Sequence, residues 1–237
     1  SPVIDGRATG ILDNRLEAYR HHCDRLPILT GRVIPEPVFT IADYEREILG
    51  AICAGLAPKD PTGVLQEEWA NARGAIARFE RDTIEIRVLD VQECPAADLA
   101  IAAAVVATLQ SLVAADWCPF SAQCQVPVAP LAALFEACLR DADQTPVTDG
   151  DYCRRLGWTG PACPTAGELW AHLLDQAAQR HPIIMAPHAK ALAHMRQHGP
   201  LARRLLKRLG AEPSTARLRA TWAELADCLA SGTLFTP

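Results

Sequence analysis

A chain of 237 residues is long enough to bury a substantial core, as one or two domains. Its 49% hydrophobic and 22% charged content is ordinary for a soluble globular protein, and a net charge of −5 excludes a general nucleic-acid binder, which needs a basic surface. Nine cysteines without a CxxC pair read as reduced thiols rather than as a disulfide framework or a zinc module.

In chain order, Ile11, Leu12, Leu16 and Tyr19 recur at helical spacing and predict a helix over 11–25. Pro27, Gly31, Pro35 and Pro37 then hold a loop. Thr40 is a predicted N-cap, with Asp43 at the third helical position and Tyr44, Ile48, Ile52 and Leu56 along one face. Pro58 to Gly63 is a turn cluster. A β-hairpin is expected next, with strands over 71–79 and 83–89 joined by Glu80-Arg81-Asp82. Pro95 opens an alanine-rich helix over 96–115. Its apolar run, Leu99 to Ala115, is interrupted by Thr108, Gln110 and Ser111 and reads as a core helix rather than a membrane span. Helices follow over 128–141, 150–156, 165–179, 186–197, 200–209 and 214–230, with prolines at the joints. A single hairpin is barely stable in water, so its sheet is expected to be completed by another segment or subunit.

Thr83 to Leu89 alternates strictly. Ile84, Ile86 and Val88 point to one side; Glu85 and Arg87 stand together on the other. A carboxylate beside a fixed cation on a rigid strand suits a site for a metal ion and a phosphate. Asn71 and Arg73 share a face of the preceding strand, and Arg78 takes the opposite one. Asn71 and Arg73 are therefore expected beside Glu85 and Arg87, with Arg78 joining them only through a bulge. Near the start, Gly6 and Gly10 allow a tight loop in which Arg7, with Thr9, can clamp a carboxylate bidentately. The histidines are scattered; His194 and His198 lack the glutamate of an HExxH site. Arg203, Arg204, Lys207 and Arg208 read as one basic helix face, either solvated or an interface.

The run WANARGAIARFERDTIEIRVLDVQECP, residues 69–95, and the opening SPVIDGRATG resemble the C-terminal half of the glutamate–cysteine ligase type 2 family, the carboxylate–amine ligases. The resemblance extends over about residues 1–115 and continues as a helical tail of the right length. It implies an α+β fold, with part of an antiparallel, glutamine-synthetase-like sheet and a large helical remainder, divided as 1–117 and 118–237. It implies Glu85 as a magnesium ligand and Arg87 as the catalytic arginine at the transferred phosphate. Arg73, Asn71 and Arg78 would help Arg87 bind ATP, and Arg7 and Thr9 would bind substrate. The implied cofactors are ATP and Mg2+, and the implied substrates are small amino acids joined as an amide through an acyl phosphate. The family's acidic strand motif and further magnesium ligands have no counterpart in these residues. The implied partner is therefore the upstream half of the enzyme or a partner subunit. Three origins remain open: a fragment, one half of a split ligase, or a degenerate relative that serves as a non-catalytic helical interaction module. The chain does not open on methionine, as in a fragment, a processed chain or a trimmed one. A cytoplasmic location without membrane or nucleic-acid partners is expected, and a homo-oligomer is compatible with it.

Overall fold

The computed structural model describes all residues from Ser1 to Pro237. It is an α+β fold: two small antiparallel two-stranded sheets and a large helical remainder. Two compact units are built from interleaved segments rather than from consecutive halves. One comprises Ser1–Asn14, Asp90–Gln125 and Ala137–Pro237; the other comprises Arg15–Leu89 and Val126–Glu136.

The second of these units carries the predicted hairpin. α1 (Asn14–Tyr19) is shorter than expected and gives way to turns before Pro27. Thr40 caps α2 (Ile41–Asp43), its hydroxyl accepting from the Asp43 N–H at 3.1 Å. A π-helical stretch, Tyr44–Leu49, leads into α3 (Gly50–Leu56). Tyr44, Ile48, Ile52 and Leu56 are all buried in one cluster, as their spacing predicts. Ala77 and Phe79 of the hairpin pack on that cluster, and Phe79 meets Tyr44 edge-on at 5.3 Å between ring centres.

The hairpin differs from expectation in length and in register. Its strands are β3 (Ala75–Arg78) and β4 (Thr83–Ile86), after the short β1 (Val3–Ile4) and β2 (Arg7–Ala8) of the other unit. Phe79 is not a strand residue. It opens a tight helical turn, Phe79–Arg81, and Asp82 takes left-handed backbone angles to close it. The connection therefore has four residues instead of three, and the pairs are Ala75↔Ile86, Ile76↔Glu85, Ala77↔Ile84 and Arg78↔Thr83. A slip of one residue moves every side chain to the other face. Ile76, fully buried, and Arg78 thus share the face of Glu85. The expected apolar anchor is also different: Ile84 is 62% exposed, and Ile86 and Val88 are only half-buried.

In the other unit, β1 and β2 form a minimal hairpin whose turn, Asp5-Gly6, has positive φ at both residues. α4 (Pro95–Val113) is its central helix. α5 (Phe120–Gln123) follows, then α6 (Val128–Asp141), whose first turns belong to the hairpin's unit. Asp149 caps α7 (Gly150–Arg155), and a capping box of Thr165 and Glu168 starts α8 (Ala166–Arg180). α9 (Pro182–Met185) and α10 (Ala189–His198) lead to α11 (Leu201–Leu209) and α12 (Thr215–Ser231). Ala100, Ala104 and Ala107 of α4 pack with Ala177, Met185, Ala191 and Leu192.

The predicted basic face of α11 is not wholly solvated. Arg204 is fully buried, grips both carboxylate oxygens of the equally buried Glu93, and donates to the Phe235 carbonyl at 2.7 Å. The Phe235 N–H returns to Glu93 at 3.2 Å, so the C-terminal tail closes over a satisfied ion pair.

Candidate functional site

The centre of the candidate site is one carboxylate between two guanidiniums. Arg78 donates to Glu85 Oε2 through Nε at 2.8 Å and through its terminal nitrogen at 2.7 Å. Arg87 donates to Glu85 Oε1 at 2.5 Å. Glu85 comes from the middle of β4, and Arg78 ends β3 on the same face. Arg87 is held just past the strand, where its N–H donates to the Gly74 carbonyl at 2.8 Å. The close approach there requires a glycine: a Cβ at position 74 would lie 2.7 Å from Val88 Cγ1 and 3.1 Å from the Val33 carbonyl oxygen.

Arg87 is further fixed by a 2.9 Å bond to the Asn71 carbonyl, and Arg78 has a second carboxylate, Glu68, at 3.6 Å. The Arg87 and Arg78 hydrogen bonds hold the Glu85 carboxyl below the usual carboxylate range. For Arg87, burial weakens the charged form, but the bonds to Glu85 and Tyr19 outweigh it and the guanidinium is held more firmly protonated. The three side chains are only partly covered, so the cluster is a charged surface with solvent access.

The other candidates stand apart from this trio. Arg73 does not join Glu85. Its fully buried guanidinium grips both oxygens of Glu36 and donates to the Ile28 carbonyl and to Asn71 Oδ1, each at 3.2 Å. Asn71 is fully buried as well, its amide donating to Tyr44 Oη at 2.9 Å. Together they clamp the entry to β3, and Asn71 touches the trio only through its backbone. The expected pairing of Asn71 and Arg73 with Glu85 and Arg87 is thus corrected to Arg78 by the one-residue register shift, with no bulge. Arg7 and Thr9 belong to the other unit. Thr9 is engaged locally, accepting from Asn14 Nδ2 at 2.9 Å and donating to the Ile11 carbonyl at 3.2 Å, whereas Arg7 is exposed. Glu68, like Tyr19 beside Arg87, is a member of the neighbourhood that sequence reasoning missed. It lies outside both strands, ten residues before Arg78, and no periodicity points to it.

The trio suits oxyanion chemistry better than metal chemistry. Two guanidiniums converging on one carboxylate offer donors in the geometry a phosphate oxygen requires. Magnesium needs near-octahedral oxygen ligands, several of them carboxylate or water. Glu85 is a single carboxylate with both oxygens bonded to arginine, and nowhere in the chain do three or more His, Cys, Asp or Glu side chains gather as a ligand set. These residues do not by themselves make a magnesium site.

Comparison with known proteins supplies the context. A protein of Archaeoglobus fulgidus described only as uncharacterised is 39% identical over 111 residues, a match covering 47% of this chain and 30% of that relative. No solved structure matches the chain. The family model for glutamate-cysteine ligase family 2 matches residues 1–157, which contain the Arg78–Glu85–Arg87 trio and the loop bearing Arg7 and Thr9. The chain belongs to glutamate-cysteine ligase family 2.

Proposed function

We propose that the chain is part of an ATP-dependent carboxylate–amine ligase, joining an amino-acid carboxylate to an amine in the manner of a glutamate–cysteine ligase. The observation that carries this reading is the convergence of Arg78 and Arg87 on Glu85 in a member of the ligase family. In such a reaction a substrate carboxylate oxygen attacks the terminal phosphorus of ATP and ADP leaves. The amine nitrogen then attacks the acyl carbon, the carbon–oxygen bond to phosphate breaks, and the amine loses a proton.

Negative charge gathers on the phosphoryl oxygens in the first step and on the departing phosphate in the second. Arg87, fixed at Nε by Glu85 and at a terminal nitrogen by the Asn71 carbonyl, is pre-oriented to stabilise that charge, and Arg78 lies beside it. Glu85 then has two roles: it orients the two arginines, and it is the one carboxylate the trio can lend to a magnesium ion. The remaining metal ligands come from outside these residues. The rest of the site is supplied by an upstream half of the enzyme or by a partner subunit, in keeping with a match that spans 30% of its relative.

One observation favours a second reading. Both Glu85 oxygens are already satisfied by arginine, as in a hairpin kept only as a scaffold of an interaction module. Formation of ADP and amide, measured with the rest of a family ligase supplied, separates the two. Glu85→Gln is expected to abolish turnover with folding retained; turnover that survives both Glu85→Gln and Arg87→Ala would support the scaffold instead.

A further inference from the structure

Tyr19 belongs by spacing to the apolar stripe of α1, and its ring packs against that of His22 at 4.6 Å between ring centres. Its hydroxyl has contacts that the stripe does not require. It donates to the Ala72 carbonyl at 2.8 Å and also bonds the Arg87 guanidinium. A phenol hydroxyl has one proton to give and two lone pairs. The proton is committed to Ala72, so toward Arg87 the oxygen is the acceptor. Arg15, four residues earlier and therefore on the same side of the helix, donates to the Arg87 carbonyl at 3.2 Å. One side of α1 thus holds Arg87 at two points, its main chain and its guanidinium.

We infer that Tyr19 is a positioning residue for Arg87, fixing the guanidinium in the orientation in which it meets the transferred phosphoryl group. This rests on the ligase function proposed above. Glu85 takes Arg87 Nε, and the Asn71 carbonyl takes a terminal nitrogen. Both of these acceptors belong to the hairpin and its entry, and both move with it. Tyr19 ties the same guanidinium to a separate element, α1. Arginine is a planar fork with five N–H donors, so three anchors hold its plane and still leave donors for an oxyanion.

The acceptor is neutral, which suits an arginine that must meet an anion. Glu85 already cancels part of the local positive charge. A second carboxylate in the place of Tyr19 would cancel more of it, whereas a hydroxyl orients the guanidinium and leaves its charge for the phosphoryl oxygens. Arg15 adds a further cation beside the Arg87 main chain. Because the phenol proton is held by the Ala72 carbonyl, Tyr19 acts through Arg87 and not as an acid. Its loss removes one anchor of three and displaces the donor without removing it. The expected fall in rate is therefore about tenfold, below the roughly 10²–10³-fold of deleting a preorganised donor outright.

Tyr19→Phe keeps the ring and removes only the hydroxyl. In amide formation by the chain, with the rest of a family ligase supplied, kcat is expected to fall about tenfold while KM for ATP stays within about twofold. The same change made in the Arg87→Ala chain is expected to have no further effect. A further fall in that background means the hydroxyl acts on its own, through substrate or through the fold, and overturns the inference. A raised KM with kcat unchanged overturns it too. The second readout needs no turnover: exchange of the Arg87 Nε proton with water, followed by isotope-edited NMR of the chain and assigned by its loss in Arg87→Lys. Tyr19→Phe is expected to speed that exchange several-fold with an unchanged circular dichroism spectrum; exchange at the unmodified rate overturns the inference. An unmodified chain that forms no amide refutes the ligase function, and the exchange rate then decides by itself whether Tyr19 holds Arg87.

Discussion

Glu93→Ala is the most informative perturbation of the fold. Glu93 and Arg204 are both fully buried, 111 residues apart in sequence. Alanine removes the partner of two Arg204 nitrogens and of the Phe235 N–H, and leaves the guanidinium with only the carbonyls of Gly199 and Phe235. A buried charge left without its counter-charge costs about 3–5 kcal/mol. At about 2–4 °C per kcal/mol for a chain of this length, the melting temperature falls by roughly 6–20 °C. The pair itself is a poor net stabiliser, because burying two ions costs nearly what their attraction returns. The double variant Glu93→Leu with Arg204→Met is therefore expected to recover much of the loss. Thermal and urea unfolding followed by circular dichroism reads both. If Glu93→Ala shifts stability by less than about 1 kcal/mol, the ion pair is not desolvated as described. If the double variant is as unstable as the single one, the loss comes from packing and not from the orphaned charge.

Ile76→Ala should cost about 2–5 kcal/mol by urea unfolding, whereas Ile84→Ala, at an exposed position, should stay within about 0.5 kcal/mol. The opposite ranking would restore the three-residue turn and the register expected from sequence. Gly74→Ala is expected to destabilise by about 1–3 kcal/mol, because its Cβ meets both a side chain and a backbone oxygen; a neutral result in the same assay would mean Val88 and the Val33 carbonyl do not approach that closely. Glu85 has a lowered carboxyl pKa, so its contribution to stability is present above the unfolded value of about 4.3 and is lost as pH falls below it. The urea midpoint of Glu85→Gln should accordingly vary less below about pH 4 than that of the unmodified chain; parallel profiles would sink the assignment.

Local signals in the sequence carried over into structure. Thr40 caps its helix, and the Tyr44–Leu56 stripe is buried, because both depend on residues within a turn or two of one another. The α6, α8, α11 and α12 boundaries were legible for the same reason, through prolines and caps. The hairpin was legible as a hairpin but not in register. Whether Phe79 extends the strand or begins the turn is decided by its contact with Tyr44, 35 residues away, and that one residue exchanges Arg73 for Arg78 at the site. The Glu93–Arg204 pair was invisible because nothing in either neighbourhood encodes the other. α4 hid its buried face for a different reason: it is apolar on every side, so no periodicity separates inside from outside.

Arg78, Glu85 and Arg87 act together in the proposed ligase site, while Arg73 serves only the fold. The direct measurement is ATP-dependent amide formation by the chain, supplied with the rest of a family ligase, comparing Arg87→Ala and Arg78→Ala with the unmodified chain. Loss of one preorganised charge at the phosphoryl group predicts a fall in turnover of about 10²–10³-fold for Arg87→Ala with the urea midpoint retained, and a smaller fall for Arg78→Ala. Turnover within about threefold of the unmodified chain in both variants would contradict it.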